Sequence, residues 1–164
     1  MDHDQVHHLN LPELVGKSCL GYSEGWLIMV NSGVKCSKVC LLHPFSRSEI
    51  WLPRGPWGKE FFKATLSSDP SASHPIVMVI CYGNTSTALA FCRPGDRTWT
   101  ICYHQQAGIN QVIDDVIFFQ GKFYAFGSHG TIIISDFAPQ PHVTRQRLGL
   151  PSRVRFSYNK EVPD

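Results

Sequence analysis

Apolar residues in this sequence come only in short runs, bounded by Gly, Pro, Asn or Ser, and no run keeps a helical period over a dozen positions. The longest unbroken one, residues 76–81, has the length of a strand. A chain patterned this way has strands and tight turns to build with and little that could pack as a helix. Aromatic residues at 12% and charged residues at only 17% point the same way, because rings suit half-buried pleated surfaces while solvated helices need charge. Residues 25–30, 39–42 and 48–52 supply a first group of strands. Residues 61–66, 75–82, 87–92 and 98–103 supply a second, and 112–119, 122–126, 131–136 and 143–147 a third.

The groups repeat. Leu41 and Trp51 each stand 48 residues before a residue of the same type, Leu89 and Trp99, a period in the range of propeller blades. Residues 26–30 and 76–81 are apolar on both parities, as strands must be when a neighbouring sheet covers each face; a sandwich would show cleaner alternation. The expected fold is therefore all-β, a partial β-propeller of about three four-stranded antiparallel blades. The blades are expected over residues 11–55, 60–105 and 110–147, between a polar tail (1–10) and a basic tail (148–164). Closed propellers have roughly four to eight blades. Three in a row are expected to leave two apolar faces uncovered, one parity of residues 26–30 and one parity of residues 123–134. Such faces favour self-association or a partner that covers them.

Gly21-Tyr22-Ser23-Glu24-Gly25 has the spacing of a hydrolase nucleophile elbow, with Asp115 and His129 following in hydrolase order. An elbow needs a strand, a sharp turn and then a helix, whereas a strand follows Ser23. Ser23 is read as part of a hairpin, no residue is given a catalytic role, and the alternatives kept are a serine hydrolase using Ser23 or a truncated product without independent function. Asp114 and Asp115 are neighbours in a strand pattern, so their carboxylates are expected on opposite faces. Cys19, Cys36, Cys40, Cys81, Cys92 and Cys102 include no Cys-x-x-Cys pair and fall mostly in apolar runs, which reads as reduced thiols in a core. Neither a metal nor a cofactor is expected, and His3, His7 and His8 are read as part of the polar tail. Trp26, Trp51 and Trp99 are expected to fill gaps between blades, and Trp57, between Pro56 and Gly58, is nominated for a partner surface.

The formal charge of +2 is spread over mixed acids and bases, so no nucleic acid is expected as partner. Arg145, Arg147, Arg153, Arg155 and Lys160 gather near the end, where the reading is a solvated tail. No apolar run approaches a membrane span of roughly 18 residues. The start, Met1-Asp2-His3-Asp4-Gln5, lacks the basic-then-apolar order of a secretory signal, and the expected location is the cytosol or nucleus. For the same reason Asn84-Thr85-Ser86 is read as turn chemistry despite its glycosylation spacing.

Several stretches together resemble the plant F-box/KIB-type β-propeller family: residues 11–17, Gly25-Trp26-Leu27, Leu41-Leu42-His43-Pro44-Phe45-Ser46, and Leu89-Ala90-Phe91-Cys92-Arg93-Pro94-Gly95-Asp96 with Trp99-Thr100. Residues 63–68, 115–119 and 121–125 are also similar to that family, and the likeness runs over about 11–143. The resemblance implies a propeller that recognises the substrate protein of a ubiquitin ligase, with an F-box ahead of it to dock on a Skp1-type adaptor. Residues 1–10 lack the helical Leu-Pro-rich pattern of an F-box, so adaptor binding is not expected of this chain. His43 stands where the family usually has Asn. The function expected is that of a non-catalytic protein-interaction module.

Overall fold

The computed structural model describes residues 8–32, 37–55, 60–71, 75–83, 87–104, 112–137 and 141–147. Three four-stranded antiparallel sheets account for most of them. Blade 1 is built from β1 (Ser18–Ser23), β2 (Trp26–Ser32), β3 (Ser37–Leu42) and β4 (Glu49–Arg54). Blade 2 is built from β5 (Glu60–Leu66), β6 (Val77–Tyr82), β7 (Thr87–Cys92) and β8 (Thr100–His104). Blade 3 is built from β9 (Ile113–Phe119), β10 (Lys122–Gly127), β11 (Thr131–Asp136) and β12 (His142–Arg147). In each blade the strands pair in sequence order, and the first strands pack side by side, β1 with β5 and β5 with β9. The chain is a partial β-propeller.

Local chemistry sets the hairpins. Ser23 pairs with Trp26 across Glu24 and Gly25, both at positive φ, and Phe119 pairs with Lys122 across Gln120 and Gly121, also both positive. Two successive residues in that region make a hairpin turn whose twist matches its strands, and glycine at the second position relieves the steric cost. Gly21 has a different task. A Cβ there would run into the carbonyl oxygen of Ala64, so only glycine lets β1 lie this close to β5.

The middle blade explains its own sequence. Along β6, Val77, Val79 and Cys81 face blade 1 while Met78 and Ile80 face blade 3; along β7, Ala90 and Cys92 face blade 1 while Leu89 and Phe91 face blade 3. Every residue of β7 is buried, and after Thr87 the strand is apolar on both parities. Blade 1 presents Trp26, Ile28, Val30, Val39 and Leu41 to blade 2, and blade 3 presents Val116, Phe123, Ala125 and Ile133 to it from the other side.

The spacing between equivalent residues differs from the 48 read in the sequence. Cys40 pairs with Trp51 and Ala90 pairs with Ile101, while Leu27 pairs with Leu42 and Val77 with Cys92, which puts blade 2 at a spacing of 50. Pro44 and Pro94 carry this register, and the Leu and Trp matches run two residues short of it. Trp51 is therefore no counterpart of Trp99. It lies on the outer face of blade 1, 46% exposed, whereas Trp99 is buried between blades 1 and 2 against Phe61 and donates Nε1–H to the Pro53 carbonyl at 2.9 Å. Trp26 is buried there as expected.

The two outer faces do not behave alike, and the expectation that both lie open fails for the first. Leu27, Met29, Cys40 and Leu42 form the outer face of blade 1, and Leu14, from the 3-10 turn Pro12–Leu14, packs over them. Met29, Cys40 and Leu42 are buried as a result. Lys17 continues the cover: its ammonium lies 2.9 Å from Glu49, 3.6 Å from the Cys40 sulfur and 4.7 Å above the Trp51 ring. Burial pulls the Lys17 ammonium down, but the bond to Glu49 and the neighbouring charges outweigh it and hold it above its ordinary value. On blade 3 the described residues leave the face more open. Ile117, Phe119 and Phe126 are 42%, 55% and 37% exposed on one face, and Tyr124, Ile132 and Ile134 of the same parity are only partly covered.

Candidate interaction surface

The hairpins joining first to second and third to fourth strands gather at one end of the blades. The loops of residues 43–48 and 93–98 are equivalent there, His43-Pro44-Phe45-Ser46-Arg47-Ser48 against Arg93-Pro94-Gly95-Asp96-Arg97-Thr98. Both are pinned. In the first, the His43 amide donates to the Ser48 carbonyl at 3.0 Å, the Arg47 amide to the His43 carbonyl at 2.8 Å, and the Ser46 amide to His43 Nδ1 at 3.1 Å. In the second, the Asp96 amide donates to the Arg93 carbonyl at 3.0 Å, and the Arg93 amide donates to the Asp96 carboxylate at 2.7 Å. Arg47 also reaches back to the Asn10 carbonyl at 3.1 Å, tying the loop to the segment that covers blade 1.

On this fixed backbone Phe45 projects with 82% of its surface exposed, and Tyr22 at the same end is 83% exposed. Phe45, His43 and Trp26 form a ladder of edge contacts, with ring centroids 6.2 Å apart for the first pair and 5.2 Å for the second. Trp26 Nε1–H donates to Asp69 Oδ1 at 3.2 Å, which joins the loop ends of blades 1 and 2. The Ser71 amide and hydroxyl donate to the same oxygen at 2.8 and 2.7 Å, and these bonds, with the Trp26 one, hold the Asp69 carboxyl below its ordinary value. A large ring held out on a loop whose backbone is already ordered loses little entropy on contact with a partner.

The hydrolase-spaced residues are not brought together. Ser23 closes the β1–β2 hairpin, Asp115 lies in β9 opposite Phe126 with Lys63 at 3.4 Å, and His129 belongs to the β10–β11 turn, at the opposite end of the strands from hairpins of the Ser23 kind. Both glycines of the motif have structural work already, Gly21 at the contact with Ala64 and Gly25 in the turn. Asp114 is the unpaired residue of a bulge in β9, and burial, with the Asp115 charge beside it, raises its carboxyl above the ordinary range. Cys40, Cys81 and Cys92 are buried free thiols, Cys102 is partly covered and pushed up to about 11 by burial, and Cys19 is exposed. Among the described residues, no three His, Cys, Asp or Glu side chains converge as a metal site would need. Trp57, Cys36 and residues 84–86, 1–7 and 148–164 lie outside the described residues. In the sequence Phe45 stands only as one residue of the turn after His43-Pro44, and its exposure is visible only in the structure.

Stacked four-stranded meanders, with their first strands adjacent and their hairpins collected at one end, define a β-propeller. The family can be named from comparison: the chain matches the KIB1-4 beta-propeller over residues 1–163 and belongs to that family. It is 30% identical over 139 residues to an F-box/kelch-repeat protein of Arabidopsis thaliana, a match that covers 80% of this chain and 36% of the relative. A putative F-box protein of the same plant is 33% identical over 86 residues, covering 52% of this chain and 22% of the relative. Another Arabidopsis F-box protein is 27% identical over 135 residues, covering 79% and 34%. The chain thus spans about a third of the length of the first of these relatives. No solved structure matches it.

Proposed function

We propose that this chain is a non-catalytic protein-recognition module, the kind of propeller that selects the substrate of a plant F-box ubiquitin ligase, and that it meets its partner at the hairpin end of blades 1 and 2. The observation that carries this reading is Phe45, a fully presented aromatic on a loop fixed by three backbone-directed hydrogen bonds. Membership of a family whose relatives include F-box proteins supports the class of partner. A location in the cytosol or nucleus belongs to the same reading, since the buried free thiols suit a reducing compartment.

The test is affinity capture from plant cells with the wild-type chain, Phe45→Ala and Trp57→Ala, the captured proteins being identified by mass spectrometry. A partner retained by the wild type and lost with Phe45→Ala is the expected result. Equal capture by wild type and Phe45→Ala removes the loop end from the account. Ester turnover, if any is seen in a purified sample, is expected to be unchanged by Ser23→Ala, because a hairpin residue has neither an oxyanion hole nor a strained turn behind it.

A further inference from the structure

We infer that Asp69 and His43 are positioning residues of the recognition surface: a loop of blade 2 sets, through the Trp26 indole and the His43 imidazole, the direction in which Phe45 is presented on a loop of blade 1. The inference rests on the proposed role of the hairpin end and adds that this end works as one unit across two blades. The bonds that pin residues 43–48 fix the backbone, but they leave the Phe45 side chain free to turn, and a ring that is 82% exposed has few atoms against it. The ring beside it is His43, at 6.2 Å between centroids and 61° between planes.

His43 is held from two sides. Its Nδ1 accepts the Ser46 amide at 3.1 Å, so the neutral ring carries its proton on Nε2, and it stands edge-on to Trp26 at 5.2 Å and 75°. Trp26 is only 6% exposed between blades 1 and 2, and its one polar atom, Nε1–H, has Asp69 Oδ1 as acceptor at 3.2 Å. Asp69 is fixed in turn, since the Ser71 amide and hydroxyl donate to the same oxygen at 2.8 and 2.7 Å. Three contacts therefore lead from a carboxylate on blade 2 to the presented ring on blade 1. Without the carboxylate, a largely buried indole N–H has lost its acceptor and must turn to find another. A turned indole no longer meets the imidazole edge-on, and Phe45 loses the neighbour that fixes its rotamer. Immobilising one such side chain only at the moment of contact weakens an affinity by about two- to tenfold.

The test is NMR on the full chain with Trp, His and Phe labelled and their signals assigned through the backbone. Asp69→Ala should shift the Trp26 indole N–H, the His43 ring and the Phe45 ring together. The Trp99 indole, which donates to the Pro53 carbonyl, should stay in place and so report an intact contact between the blades. Asp69→Asn keeps an uncharged, weaker acceptor at the same position and should shift the three signals the same way by less; it carries the test if Asp69→Ala does not fold. His43→Asn keeps an acceptor for the Ser46 amide but has no ring, and in that background a change at Asp69 should no longer move Phe45. A Phe45 signal that stays put in both Asp69 variants, or that still responds to them once His43 is replaced, overturns the inference. Capture from plant cells distinguishes the two levels. Equal capture by wild type and Phe45→Ala defeats the reading of the surface and the inference with it, whereas capture lost with Phe45→Ala beside a Phe45 signal unmoved by the Asp69 variants defeats the inference alone.

Discussion

Blades 1 and 3 are the same four-stranded meander, each with one face packed on blade 2, yet their second faces have opposite fates. On blade 1 the residues before β1 fold back, Leu14 seals Met29, Cys40 and Leu42, and Lys17 closes the edge against Glu49 and Trp51. On blade 3 the described residues offer no such cover, and Ile117, Phe119 and Phe126 remain open. The difference is not in the apolar content of the strands, which is high in both. A propeller blade has two core faces by design, and whether the second is buried depends on what the chain places against it.

That contrast can be broken most sharply by putting the same charge on both faces. Leu42→Lys forces an ammonium under Leu14, opposite a Glu49 already held by Lys17, and is expected to cost more than about 4 kcal/mol, enough to abolish cooperative unfolding in urea. Ile134→Lys, on the open face, is expected to stay within about 1 kcal/mol of the wild type. Equal losses at the two positions would mean that the faces are covered alike. A smaller effect separates the cover from the sheet beneath it: Leu14→Ala, at a partly buried position, should cost about 1–2 kcal/mol by loss of packing. It should also speed hydrogen exchange in β2 and β3 without changing exchange in β10 and β11.

Lys17→Met should cost less than about 1 kcal/mol, because the ion pair is solvated on one side and the methionine stem keeps the packing. Its signature is in pH. The folded ammonium is held above its ordinary value of 10.5, so its contribution is complete below that value and fades as pH rises through the folded one. Between those two values the wild type should lose stability on alkaline titration while Lys17→Met stays flat, as followed by thermal melts. Smallest of all, Phe45→Ala should leave stability within about 0.5 kcal/mol, since an exposed ring leaves no cavity.

Much of this architecture was legible in the sequence because blades are local. Four short strands in order need only period and turn residues to be seen, and the doubly apolar run at 76–81 announced a sheet covered on both sides, as β6 proves to be. The period was misread because Leu and Trp are common core residues that match by chance at a wrong offset, whereas Pro44 and Pro94 mark a turn and keep the true one. The same error placed Trp51 in the core. The cover on blade 1 was not legible, since a three-residue 3-10 turn has no periodicity and Lys17 declares its ties to Glu49, Cys40 and Trp51 only in three dimensions. Phe45 was missed because exposure of a loop ring leaves no trace in a pattern of apolar residues.

The asymmetry itself is tested most directly by timing thiol labelling in Ile134→Cys, with each modified site read by mass spectrometry. Cys19 is exposed and Cys81 and Cys92 lie between blades, so the chain carries its own fast and slow standards. Cys40, under Leu14 and Lys17 and with its thiol pushed up by burial, should label as slowly as Cys81 and Cys92. The thiol introduced at position 134 should label at a rate close to that of Cys19. A Cys40 that reacts as fast as Cys19, or a position 134 as protected as Cys81, would contradict the account of one covered face and one open one.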